Sequence, residues 1–199
     1  KIISNHNIIA DYFMLTMHLV RPMGDVAPGQ FIMLEIPGGA TFLRRPFSIY
    51  SCRKNILKIM YKVTGKGTGY LSRTVKGEKT MVLGPLGKGF RIQKRDEYLI
   101  IAGGIGYAGV HALIKKLGKK ATVFFGCTAK EETALINDIR GVDVMVSTLD
   151  GSYGFRGNVV DMLKEHLPAM RKKDSEIYAC GPKGMFKALK RLTDRRKTP

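Results

Sequence analysis

The 199-residue sequence holds only three cysteines, Cys52, Cys127 and Cys180, and no two of them form a C-x-x-C pair. An odd, dispersed set excludes a disulfide framework and a self-contained thiolate metal site. The four histidines, His6, His18, His111 and His166, show neither H-x-H nor H-E-x-x-H spacing, which makes them surface or structural groups rather than metal ligands. Long apolar runs are missing too. The longest nearly apolar stretch, Leu99–Val110, is glycine-rich and too short to span a bilayer. No segment resembles a signal peptide, and the chain opens on Lys1, so a native start upstream stays open; a cytoplasmic location is the default expectation. Negative charge is scarce, with 16 acidic against 34 basic side chains and a net charge of +18. The cations are spread through both halves rather than gathered in one tail, which reads as a solvated surface that attracts anions.

What is present falls into two patterns. Residues 1–94 carry short apolar runs at Tyr12–Val20, Gln30–Ile36, Phe47–Cys52, Ile56–Val63 and Thr80–Leu83, each closed by Gly, Pro or Asn. Short strands at such spacing suggest a small barrel, which we expect to be antiparallel and six-stranded. From Glu97 the pattern alternates. Tyr98–Ala102, Ala121–Phe125, Asp143–Ser147 and Glu176–Ala179 read as buried strands, separated by helical stripes around Val110–Leu117, Leu135–Ile139 and Val159–Leu167 and followed by Met185–Leu192. This predicts a doubly wound parallel sheet over residues 95–199, with its ligand above the carboxyl ends of the strands.

Candidate binding residues gather at the strand ends. Arg45, Pro46, Phe47 and Ser48 combine a guanidinium fork for a pyrophosphate, a rigid backbone, an aromatic face and a hydroxyl. Gly67, Thr68, Leu71 and Ser72 lie in a glycine-rich segment whose backbone N–H groups could cradle phosphate oxygens, with an ordinary turn as the alternative. Gly84-Pro85-Leu86-Gly87 reads as a loop at the handover between domains. Gly104, Gly106 and Gly109 match G-x-G-x-x-G between a strand and a helix. The acidic residue expected at the end of the second strand is absent there, since Gly126-Cys127-Thr128 occupies the place. Cys180, Gly181 and Pro182 stand at the last strand end, and a buried structural thiol is the plain alternative for Cys180. No Ser–His or paired-carboxylate constellation competes with these.

Taken in order, Arg45-Pro46-x-Ser48, Gly67-Thr68-Gly69-x-Leu71-Ser72, Gly84-Pro85-Leu86-Gly87, Gly103-Gly104-x-Gly106, Asp150-Gly151-Ser152-x-Gly154 and Cys180-Gly181-Pro182-x-x-Met185 resemble the ferredoxin–NADP reductase superfamily. Within it the chain is most similar to the electron-transfer subunits of class 1B dihydroorotate dehydrogenase. The resemblance implies FAD on the first domain, NAD(H) on the second, and hydride transfer between them. Residue by residue it implies Arg45 on the FAD pyrophosphate, Phe47 lining the flavin and Ser48 near flavin N5. Thr68, Leu71 and Ser72 would serve the phosphate and ribityl side, Gly103, Gly104 and Gly106 would admit the nicotinamide dinucleotide, and Cys180 and Gly181 would lie near the nicotinamide. Ser48 and Cys180 are thus the residues placed at the reacting rings. Asp150, with Glu131 and Glu132, puts negative charge near the ribose crevice and so favours NAD(H) over NADP(H), while Lys130 pulls the other way.

Three departures accompany the resemblance. Phe47 stands where many relatives have Tyr, and Gly109 where Pro is usual. The family continues past the last helix into a strand and a cysteine-rich loop carrying a [2Fe–2S] cluster, whereas this sequence ends at Lys197-Thr198-Pro199; a cluster is expected only if the chain continues beyond Pro199. The implied partner is an FMN-containing catalytic dehydrogenase subunit in pyrimidine biosynthesis. Two rival readings stay open: a reductase subunit of another redox complex, of hydrogenase, sulfide dehydrogenase or ferredoxin reductase type, and a basic nucleic-acid-binding module. The second would need clustered cations interleaved with exposed aromatics, but the aromatics here fall mainly within strand patterns.

Overall fold

The computed structural model describes residues 1–39, 42–170 and 174–196, so that Lys197-Thr198-Pro199 lie outside the described residues. Contacts divide the chain into two compact units, the first built on Lys1–Arg91 and the second beginning at Ile92.

In the first unit, strands β1 (Ile2–Ile9), β2 (Tyr12–His18), β3 (Phe31–Leu34), β4 (Arg45–Ser48), β5 (Ser51–Arg53), β6 (Ile56–Lys62) and β7 (Val82–Leu86) form two antiparallel sheets, ordered β1-β2-β6-β5 and β4-β3-β7. One core serves both sheets, with Leu15, Ile32, Leu34, Leu57, Ile59 and Tyr61 at its centre. The strands therefore number seven rather than the expected six. β1 escapes the hydrophobic pattern because its middle is Ser4-Asn5-His6-Asn7, polar residues suited to a sheet edge. The apolar run Phe47–Cys52 also divides, into β4 of one sheet and β5 of the other. Asn5 earns its place by reach: its amide donates to the Leu71 carbonyl at 2.7 Å and its oxygen accepts from the Tyr61 hydroxyl at 3.1 Å. Those bonds fasten the short helix α1 (Lys66–Leu71) to the sheet, with Leu71 fully buried beneath it.

In the second unit, β8 (Glu97–Gly103), β9 (Ala121–Cys127), β10 (Asp143–Thr148), β11 (Phe155–Arg156) and β12 (Ser175–Cys180) make a parallel sheet ordered β11-β10-β9-β8-β12. All seven residues of β8 are buried, as expected of a central strand covered on both faces. Helices α3 (Val159–Met170) and α4 (Lys183–Arg196) pack Val160, Leu163, Met185 and Leu189 onto Leu99, Ile101 and Phe124. Helix α2 (Tyr107–Leu117) follows β8. The stripe Leu135–Ile139 forms no α-helix; a 3-10 helix spans Lys130–Ile136 instead, ending where Asn137 and Asp138 begin the turn. From β8 the chain winds outward through β9 and β10, then returns to β12 on the other side. The strand order reverses at β8, and the crevice beyond its carboxyl end is where a doubly wound sheet holds its ligand.

Candidate functional site

Strand β4 presents the first group. Its alternation turns Phe47 inward opposite Ile32, where it is only 9% exposed and lies edge-on to Tyr61 with centroids 5.8 Å apart. The aromatic expected to line a bound ring is thus a core residue. Pro46 and Ser48 face outward, opposite Met33 and Phe31. Arg45 is exposed and has no ion-pair partner among the described residues, leaving its five donors available for an anion. That donor set fits a pyrophosphate.

The glycine-rich segment is helical rather than an open loop. The Thr68 hydroxyl accepts from the Thr64 and Gly65 amides at 2.9 and 3.2 Å and donates to the Gly65 carbonyl at 3.1 Å. The Ser72 hydroxyl donates to the Gly69 carbonyl at 2.9 Å. Both hydroxyls are therefore engaged by their own turn, and Gly67 is buried. Gly84-Pro85-Leu86 likewise belongs to β7 and not to a connecting loop. Gly84, at φ +157°, is required there, because a Cβ would stand 2.9 Å from Ile32 Cγ2.

At the strand-order reversal the structure brings two predicted groups together. β8 and β12 run paired as far as Ala102 and Cys180, and the turns beyond them meet backbone to backbone. A Cβ on Gly106 would lie 2.1 Å from the Cys180 carbonyl oxygen, and one on Gly103 would lie 2.9 Å from Pro182 Cδ. Gly104 takes up φ +51° between them. Cys180 is half-buried, and that burial pushes its thiol pKa up, so it stands in the crevice as a neutral thiol at physiological pH. Met185, marked in the sequence only as the end of the Cys-Gly-Pro-x-x-Met motif and the start of the last apolar stripe, fills this junction with its thioether. That spacing places Met185 one helical turn after Gly181.

A third group lies beyond the ends of β9 and β10. The Leu149 and Asp150 amides donate to the Cys127 and Thr128 carbonyls at 3.1 and 3.2 Å, and the Lys130 amide donates to Ser152 Oγ at 2.8 Å. Ser152 in turn donates its hydroxyl and amide to Asp150 Oδ1 at 2.6 and 2.9 Å. Those bonds hold the exposed Asp150 carboxyl below the usual carboxylate range, the hydroxyl being the larger cause. Gly154 is fixed by the same turn: its φ is +66° and a Cβ would sit 2.2 Å from the Val146 carbonyl oxygen. Cys127, by contrast, is buried, and burial with Glu132 and Asp150 nearby pushes its thiol up to about 11. The turn after the third strand of this sheet, and not the end of the second, thus carries an acidic side chain, Asp150.

Among the described residues no group of three or more His, Cys, Asp or Glu side chains could hold a metal ion, and the three cysteines are free. No described helix is long and apolar enough to cross a membrane.

No family model matches the sequence. Curated relatives do. The chain is 34% identical over 97% of its length to the electron transfer subunit of dihydroorotate dehydrogenase B (NAD(+)) from Caldanaerobacter subterraneus, covering 75% of that protein. It is 36% identical to the subunit of the same name from Enterococcus faecalis, over 87% of this chain and 68% of that one. Among solved structures it is similar to an NADH-dependent reduced ferredoxin-NADP oxidoreductase, with TM-score 0.85 and 24% identity over 97% of this chain and 71% of that one. A ferredoxin NADP+ reductase from Neisseria gonorrhoeae, solved with FAD and NADP, gives TM-score 0.82 and 17% identity over 98% and 89% of the two chains. The chain therefore has the ferredoxin–NADP reductase fold and belongs to the family of electron transfer subunits of dihydroorotate dehydrogenase B (NAD(+)).

Proposed function

We propose that this chain holds FAD on its antiparallel unit and NAD(H) on its parallel-sheet unit, and relays electrons on behalf of an FMN-containing dihydroorotate dehydrogenase catalytic subunit. The observation that carries this reading is the meeting of the Gly103–Gly106 turn with Cys180-Gly181-Pro182 at the strand-order reversal, in a chain whose relatives are electron transfer subunits. When bound, the flavin and the nicotinamide supply the two-electron chemistry themselves. The protein's work is then to bind, orient and discriminate.

Arg45 offers its unpaired guanidinium to the pyrophosphate, and Pro46 keeps that strand end rigid. Ser48 presents an outward hydroxyl toward the flavin ring, and Phe47 supports this strand from the core. Because Thr68 and Ser72 spend their hydroxyls on their own helix, that segment serves the phosphate and ribityl side through backbone rather than hydroxyl groups, with Gly67 and Leu71 buried to anchor it. On the other unit, Gly103, Gly104 and Gly106 keep the approach free of side chains, and Cys180, Gly181 and Pro182 border the nicotinamide. Asp150, locked as an anion by Ser152, accepts from ribose hydroxyls and repels a 2′-phosphate. Oxidising dihydroorotate also demands a base for the accompanying proton. That task falls to the catalytic subunit.

The test is the identity of the flavin. Purified or reconstituted protein should release a flavin whose fluorescence rises on phosphodiester cleavage, as FAD does. Release of FMN, or failure to bind flavin after reconstitution, would remove the assignment of the first unit.

A further inference from the structure

The junction at the strand-order reversal is unusually demanding. Three glycines from two segments far apart in sequence meet at one packing contact. A Cβ on Gly106 would meet only backbone: Cys180 O at 2.1 Å, Cys180 C at 2.5 Å and Gly181 Cα at 2.8 Å. A Cβ on Gly181 would meet Met185 Cε at 2.7 Å, Met185 Sδ at 2.9 Å and Gly103 N at 3.1 Å. One on Gly103 would meet Pro182 Cδ at 2.9 Å and Met185 Sδ at 3.1 Å. Met185 is buried and its amide donates to the Pro182 carbonyl at 3.0 Å, so the plug is tied to the turn it fills. The contact falls on the last paired residue of β12, beyond which strand pairing no longer holds the backbone in place.

We propose that Gly106 and Met185 are positioning residues: the glycine seam and its methionine plug together set where Cys180 and Gly181 stand in the crevice. The inference rests on the reading that this crevice takes the nicotinamide. Relieving an alanine at position 106 from 2.1 Å to the 3.4 Å of ordinary contact moves the Cys180 carbonyl by about 1.3 Å. A displacement of about 1 Å at a reacting centre costs on the order of 100-fold in rate. The transfer concerned takes a hydride from NADH, leaving NAD+, and reduces FAD, with one proton from water completing FADH2.

Two measurements on the flavin-loaded full chain decide the matter, comparing Gly106→Ala with Gly184→Ala, whose Cβ meets nothing within 4 Å. In anaerobic stopped flow, Gly106→Ala should lower the flavin reduction rate at saturating NADH by about 10- to 100-fold, with its visible flavin spectrum little changed. Gly184→Ala should stay within about twofold of the parent. Independently of any cofactor, maleimide labelling of Cys180, followed by peptide mass, should be at least about fivefold faster in Gly106→Ala as the thiol loses its cover, and unchanged in Gly184→Ala. Reduction of Gly106→Ala at the parent's rate, or labelling at the parent's rate, overturns the proposal. If the parent itself is not reduced by NADH, the reading of the crevice fails while the labelling still decides the seam. Should Gly106→Ala not fold, Gly181→Ala and Gly181→Ala/Met185→Ala replace it. Because the plug helps set that position, the double variant should label at least as fast as the single one, and labelling at the parent's rate in both overturns the proposal.

Discussion

Arg45 is the residue whose loss should be felt most at the flavin site. It is an exposed cation without an ion-pair partner among the described residues, so replacing it disturbs little of the fold and removes donors meant for an anion. A charge-assisted hydrogen bond contributes about 1.5–3 kcal/mol, so Arg45→Ala should weaken FAD binding by about 10- to 100-fold in a fluorescence titration of the flavin-free protein. Unaltered affinity would take Arg45 out of the site. Asp150 makes a different kind of prediction. Its folded-state pKa is depressed, so its charge is present above the unfolded value and is lost only as pH falls through the lower folded one. The carboxylate's contribution to a preference for NADH over NADPH should therefore stay constant from about pH 8 to about pH 5 and fade only below the ordinary aspartate value of about 3.9. Asp150→Asn should narrow the preference across that range. The thiols titrate in the opposite sense. Burial raises all three, with Cys127 at about 11, so iodoacetamide should modify the native protein slowly at neutral pH and reach Cys127 last as the pH is raised.

At the scale of elements, the turn Asp150–Gly154 should tolerate substitution least at its last position. Gly154→Ala combines a left-handed backbone with a Cβ that would stand 2.2 Å from a carbonyl oxygen of β10, and should cost about 2–4 kcal/mol in urea unfolding. A change below about 0.5 kcal/mol would mean that the turn is not held as described. Much of this architecture was legible beforehand. The central strands of the parallel sheet showed as continuous apolar runs because they are covered on both faces, and the helices α3 and α4 showed as stripes because one face of each is buried. β1 was hidden because an edge strand needs no apolar middle, and Asn5 is there for two hydrogen bonds rather than for burial. The glycines of the G-x-G turn could be found by pattern, but not their reason. Gly106 is small for the sake of Cys180, which lies far away in sequence. The pattern of Phe47 was ambiguous in a different way. Its neighbours suggested a ligand contact, and only the register opposite Ile32 shows that its side chain goes inward.

At the scale of the whole molecule the net charge of +18 is the largest feature that no binding residue explains. Spread over the surface, it acts on encounter rather than on fold, and it should make association with an acidic redox partner faster at low ionic strength than at high. Under the proposed function the chain is one half of an enzyme, able to exchange electrons with a nicotinamide and unable to oxidise the final substrate alone. Anaerobic mixing of the flavin-loaded chain with NADH tests it most directly, followed by the same protein with dihydroorotate in place of NADH. NADH should bleach the visible flavin absorbance, and dihydroorotate should not until a catalytic subunit is added. A flavin that NADH leaves oxidised, or that dihydroorotate reduces in the absence of any partner, would contradict the proposed function.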